Sequence, residues 1–90
     1  MTALPNPTLA QVGLRQGERV RFRRPDRARW QPGTVHRRER DGSIRITDTN
    51  GAARAIPIQL VQVRCAGPRG AMGWEPLLDR ATRTEQLSLL

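Results

Sequence analysis

The sequence has no tyrosine, one phenylalanine, two tryptophans, a single cysteine, a single histidine and no lysine. Each shortage excludes something. Cys65 alone closes no internal disulfide, so a reducing cytoplasm is the expected setting. His36, with no second histidine and only a distant Cys65, offers no metal-ligand spacing. The acids are scattered, most of them beside arginine, and no glycine loop has the spacing that cradles nucleotide phosphates. Neither an enzyme nor a bound cofactor is therefore expected. No apolar run approaches the roughly 20 residues that cross a bilayer, and the first residues lack a signal-peptide pattern, so no membrane contact is expected. A GC-rich genome would remove lysine by itself, and no chemistry is read from that absence.

What is present is positive charge. Sixteen arginines against eight acids give +8 on 90 residues, enough chain for one modest domain. The charge is unevenly spread. Between Arg15 and Arg45 fall eleven arginines and four acids (Glu18, Asp26, Glu39, Asp41), a net of +7, whereas residues 74–90 carry a net of −1. A basic surface on so small a domain is the footprint of nucleic-acid binding, through phosphate neutralisation and counterion release. The competing reading is a solvated face that only keeps the protein soluble.

The stretch from 17 to 64 organises the chain. Val20 and Phe22 alternate with Arg19, Arg21 and Arg23, the period of two that buries one face of a strand. Val35 anchors a second strand over about 34–38, after the Pro32-Gly33 break. Ile44 and Ile46 alternate with Ser43, Arg45 and Thr47 in a third. Asp41-Gly42 and Asn50-Gly51 are two-residue hairpin signals, in which both central residues need positive φ. A fourth strand near 53–56 stops at Pro57, a single helical turn covers 58–60, and Val61 and Val63 supply the last strand. Short strands with turn signals about every ten residues predict a mainly β fold, a small five-stranded closed barrel over 14–65. Residues 1–13 read as a loose arm anchored near Leu9 and Val12. Residues 66–73 are a linker by their glycine and proline content. Residues 74–82 read as a short helix whose Trp74, Leu77, Leu78 and Ala81 pack back on the barrel. Residues 83–90 are expected to be a flexible tail.

The barrel resembles the Tudor-type, SH3-like modules. The resemblance rests on Gly17-Glu18-x-Val20, Trp30-x-x-Gly33-x-Val35, Ile44-x-Ile46-x-Asp48-x-Asn50-Gly51 and the Ile56-Pro57 to Leu60 closing turn, about half the chain. Such folds carry many functions. Methyl-lysine or methyl-arginine reading needs several rings around the cation, and with Phe22 in phase with the core and Trp30 a single candidate wall, no cage can be built. Phosphate-backbone binding remains. Arg19, Arg21, Arg23, His36, Arg38 and Arg45 are expected to face outward as one stripe. Arg24, Arg27 and Arg29 lie in the loop 23–29 (RRPDRAR) at its end. Arginine's planar fork suits phosphate. With no recognition helix and few rings for stacking, duplex DNA bound by shape and charge is the expected partner.

Gln86-Leu87-Ser88-Leu89-Leu90 closes the sequence. It resembles the bacterial sliding-clamp-binding pentapeptide, Gln-Leu-Ser/Asp-Leu-Phe/Leu, carried by replicative and translesion polymerases and mismatch-repair proteins. The resemblance implies that Gln86 hydrogen-bonds at the rim of the clamp's pocket, Leu87 takes an intermediate site, and Leu89 and Leu90 fill the apolar cleft. Burying each leucine is worth about 1.5–3 kcal/mol, offset by ordering the tail, so micromolar affinity is expected. The rival is that these leucines extend the helix and pack on the barrel. On a helical wheel started at Leu77, however, Leu87 falls near 280° and Leu90 near 220°, off the buried stripe. The expected function is a nucleoid-associated adaptor for replication, repair or translesion synthesis, binding DNA and the clamp. The alternatives are an RNA-binding or ribosome-associated module, and a domain that docks an acidic partner such as a DNA polymerase.

Overall fold

The computed structural model describes residues 6–88, the side chain of Ser88 excepted. Residues 1–5 of the expected arm, and Leu89 and Leu90 of the expected clamp peptide, lie outside the described residues. Six strands and one helix follow in order: β1 (Arg19–Phe22), β2 (Gln31–Arg38), β3 (Ile44–Asp48), β4 (Ala53–Ile56), β5 (Val61–Ala66), β6 (Met72–Pro76) and α1 (Leu77–Ser88). Short 3-10 turns occupy Ala10–Val12, Ile58–Leu60 and Pro68–Gly70. The strands make one antiparallel sheet in the order β4-β3-β2-β1-β5-β6. It is open, with β4 and β6 at its edges, where a closed five-stranded barrel was expected.

The alternation in β1 does what its period predicts. Val20 and Phe22 are fully buried while Arg19 and Arg21 face away. Val35, Ile44, Ile46, Ile56, Val61 and Val63 join them from the neighbouring strands, and Val12, Leu14 and Leu77 cap this inner face. Fully burying a side chain of this kind is worth about 1.5–3 kcal/mol.

Three local readings of the sequence are corrected. The hairpin turns have three-residue loops rather than two. Glu39 N–H donates to Ser43 O at 2.8 Å and Asp48 N–H to Ala52 O at 2.9 Å, with Gly42 (φ 90°) and Gly51 (φ 85°) alone in the left-handed region. That is a turn followed by a left-handed glycine, and the aspartates instead accept from the backbone: Asp41 from Ser43, Asp48 from Asn50 and Ala52.

Residues 66–73 are not a linker. Pro68–Gly70 reverses the chain, and β6 returns along β5 with Arg64 opposite Trp74 and Val63 opposite Glu75. Trp74 is thus a strand residue. The helix starts only at Leu77, because Pro76 cannot donate to a ladder and sits on an edge strand where none is needed.

The helix also runs past the expected end at 82. Nothing from Leu77 to Ser88 is glycine or proline, and Arg83, anchored on Glu75 at 2.9 Å, supports the third turn. The wheel argument placed Leu87 correctly off the buried stripe, since it is 70% exposed, but did not exclude helix there. Leu77 is buried and Ala81 packs against the core, while Leu78 is largely exposed.

Gly33 lies where β1, β2 and β3 are closest. A Cβ built there would sit 2.3 Å from Ile46 Cγ2 and 2.9 Å from Phe22 Cε1, both buried. Gly33→Ala is expected to destabilise the protein by about 1–3 kcal/mol through overpacking, read as a lower urea midpoint at unchanged slope.

Candidate nucleic-acid interface

The pleat that buries Val20 and Phe22 sends Arg21 to the opposite, outer face of the sheet, and the registers decide what it meets there. Arg21 stands opposite Pro32 on β2 and Gln62 on β5. Its Nε donates to Gln62 Oε1 at 2.6 Å. Its Cζ lies 4.9 Å from the ring centroid of Trp30, just before β2, and 4.9 Å from that of Trp74 on β6. Arg23 reaches Trp30 at 5.6 Å, and Arg64 reaches Trp74 at 5.2 Å. The result is one continuous row, Arg23, Trp30, Arg21, Trp74, Arg64, built on β1, β5, β6 and the two ends of the β1–β2 loop. All four contacts are within the range in which a ring quadrupole attracts a cation.

These guanidiniums are held but not spent. Among the described residues, no carboxylate is within ion-pair distance of Arg19, Arg21, Arg23, Arg24, Arg29 or Arg64. Of the five N–H donors on a guanidinium, Arg21 gives one to Gln62. Arg27 lies 3.8 Å from Asp26, an exposed pair of little strength. With Arg24 and Arg29 it belongs to the loop between β1 and β2, which leaves the sheet at the Arg23 and Trp30 end of the row.

The expected stripe breaks on the other side. One extra residue in β2, at His36, shifts its register between Val35 and Arg37. This bulge brings Arg37, not Arg38, opposite Arg45 on the outer face. Arg38 pairs instead with the core residue Ile44, and its guanidinium donates to Gly42 O, Thr8 O and Gln11 Oε1, tying the N-terminal segment down. Arg37 and Arg45 converge on the carboxylate of Glu39. One of their two charges is met from within the protein.

Glu18 and Glu75 gather on the helix side, while Asp48 pairs with Arg54 across β3 and β4 at 3.3 Å. Arg80 bridges Glu18 at 2.5 Å and donates to Gly13 O at 3.3 Å and Arg64 O at 2.7 Å, while Arg83 holds Glu75. Glu18 and Glu75 are thus matched around α1 and Glu39 at the β2–β3 hairpin, while Arg19, Arg21, Arg23 and Arg64 have no carboxylate within ion-pair distance among the described residues. Gln86 and Leu87, the described side chains of the expected clamp peptide, are exposed on the last turn of α1. No three His, Cys, Asp or Glu side chains gather into a metal-sized cluster among the described residues, and no helix there is long and apolar enough to cross a membrane.

Gln62, Arg64 and Trp74 were missed from the sequence. The alternation Val61, Val63 already implied that Gln62 and Arg64 point outward. Trp74 was hidden by being assigned to the helix. No family model, curated protein or solved structure matches this chain, so the geometry carries the functional argument.

Hydrogen bonding holds four carboxyls below the ordinary carboxylate range: Glu39 by donation from Arg45, Asp41 by the Ser43 hydroxyl, Asp48 by the Ala52 backbone N–H, Glu75 by donation from Arg83. A carboxylate whose folded pKa is depressed contributes stability above its unfolded value, and loses it as pH falls through the folded one. The melting temperature is expected to be flat through neutral pH and to fall below about pH 4, with Glu75→Gln removing part of that fall in a calorimetric pH series.

Proposed function

We propose that this chain is a small adaptor that grips duplex DNA with the outer face of its sheet and offers Gln86-Leu87-Ser88-Leu89-Leu90 to the bacterial sliding clamp. On this reading the sheet is an SH3-like, Tudor-type module working at the nucleoid, in replication, repair or translesion synthesis. The observation that carries it is a set of guanidiniums with no carboxylate within ion-pair distance among the described residues: Arg19 and Arg21 on β1, Arg23, Arg24 and Arg29 in the loop that follows, and Arg64 on β5. Unpaired arginines on a surface raise its potential and favour a polyanion, at a strength that falls with salt as counterions are released. The exposure of Leu87 favours a partner's groove over packing within the chain.

Titration of the full chain with duplex DNA, RNA of the same sequence and the clamp separates this reading from its rivals. Duplex affinity is expected to fall steeply with salt, with Arg23→Ala and Arg24→Ala each shallowing the slope of log K against log salt by about 0.9. Gln86→Ala combined with Leu87→Ala and Leu89→Ala is expected to abolish clamp binding with the melting temperature unmoved. Preference for RNA, or binding only to an acidic protein such as a polymerase, would replace the DNA reading. A sharp drop in melting would show that the leucines belong to the core, and would end the clamp reading.

A further inference from the structure

The row of alternating arginines and tryptophans asks for an explanation of its own. A surface arginine ordinarily waves on a flexible stem, and holding it costs rotamer entropy. Here three are held without an anion. Arg21 is pinned by Gln62 and two rings, Arg23 by Trp30, Arg64 by Trp74. Both tryptophans of the chain are committed to this task, half-buried on the outer face and not in the core. Attraction to a ring leaves guanidinium N–H donors unspent, and Arg23 and Arg64 make no side-chain hydrogen bond among the described residues. Donors fixed in place and turned to solvent can exchange water for an acceptor from outside.

We infer that this row is a preorganised docking strip for the phosphates of a duplex backbone, with Trp30, Trp74 and Gln62 as positioning residues that bind nothing themselves. The inference rests on the nucleic-acid reading above and adds to it where the backbone lies and why. The centroid distances of 5.6, 4.9, 4.9 and 5.2 Å cap the row at about 20 Å from Arg23 to Arg64, the length of about six base pairs at about 3.4 Å each. The loop carrying Arg24, Arg27 and Arg29 prolongs it at the Arg23 end. Bases are not the ligand, because each ring is already shared by two guanidiniums. Neither is a lone phosphate, since three cations spaced across two rings match a repeating charge.

The distinguishing consequence is that uncharged residues, and substitutions that keep the charge, must alter affinity. A purely electrostatic face would ignore them. The test measures binding of a labelled duplex, about 12 base pairs to exceed the strip, and of the matching single strand across a salt series, with melting and tryptophan emission followed in parallel. Trp74→Leu and Arg21→Lys are each expected to weaken duplex binding about three- to five-fold at constant net charge, with Trp74→Phe restoring part of the loss. Arg64→Gln is expected to shallow the salt slope by about 0.9. Tryptophan emission should change little on duplex binding, because the indoles stay on their arginines. Wild-type affinity in both Trp74→Leu and Arg21→Lys would overturn the strip while leaving DNA binding intact. Tighter binding of the single strand with strong quenching would also overturn it, in favour of base stacking on the rings. If Trp74→Leu melts early, the charge-keeping Arg21→Lys decides the matter, wild-type affinity there overturning the strip. A wild-type chain that binds no duplex would overturn the reading beneath.

Discussion

The pleat of β1 divides this molecule. Four residues at the centre of the sheet send Val20 and Phe22 to one side and Arg19 and Arg21 to the other, and everything else is placed by what those two sides need. The inner side needs apolar cover. A sheet this small has little, so Val12, Leu14 and Leu77 are brought from the N-terminal segment and from α1 to seal it. The outer side needs its cations kept apart from carboxylates but under control. Rings do that where acids would have cancelled the charge. A one-residue slip of β1 would exchange the two faces, burying arginines and exposing Phe22, which is why its register is so strongly fixed.

Electrostatics then follow topology. Acids on the helix side are matched by Arg80 and Arg83, and these pairs tether α1 through partly exposed contacts that contribute modestly each. Glu39 performs the same neutralisation at the β2–β3 hairpin for Arg37 and Arg45. The bulge at His36 decides which arginine goes where: without the extra residue Arg38 would join the outer face and lose its hold on Thr8 and Gln11. The net charge is thus a poor guide to the interacting surface. Among the described residues Arg27, Arg37, Arg45, Arg54, Arg80 and Arg83 stand within ion-pair distance of a carboxylate, and of the arginines that do not, Arg19, Arg21, Arg23, Arg24, Arg29 and Arg64 lie along β1, its following loop and β5.

This explains what the sequence could show. Five strands, their apolar faces and the 3-10 turn at Ile58–Leu60 were legible, because period-two alternation and proline positions are local signals. Arg19, Arg21, Arg23, Arg24, Arg27 and Arg29 were legible as a basic region for the same reason. The sixth strand was not. Gly67-Pro68-Arg69-Gly70 reads equally as linker or turn, and only pairing with β5 chooses between them. That ambiguity moved Trp74 into the helix and hid the tryptophan row, a contact among three strands and a loop that no local window contains. The bulge escaped for a similar reason, since it exists only relative to β3. The helix end was misplaced because a broken apolar stripe was taken to mean a broken helix, whereas a terminal turn needs only tolerable propensity and an anchored base.

The two proposed binding ends are mechanically joined, and the joint is Arg64. Its side chain lies against Trp74 at one end of the outer row, while its backbone carbonyl accepts from Arg80 in α1 at 2.7 Å. Trp74 itself is three residues from the first residue of that helix. Twelve helical residues extend about 18 Å from there to Ser88. A stiff arm of this length makes the separation between a bound backbone and a bound clamp nearly fixed rather than averaged over a random coil. When the fixed distance matches the target, a second weak contact forms at high effective concentration; when it does not, the arm forbids it. A clamp encircles the duplex it travels on, so both surfaces are offered together at short range. A micromolar peptide and a salt-sensitive backbone contact, each too weak alone to retain the chain, would then select the one place where DNA and ring coincide.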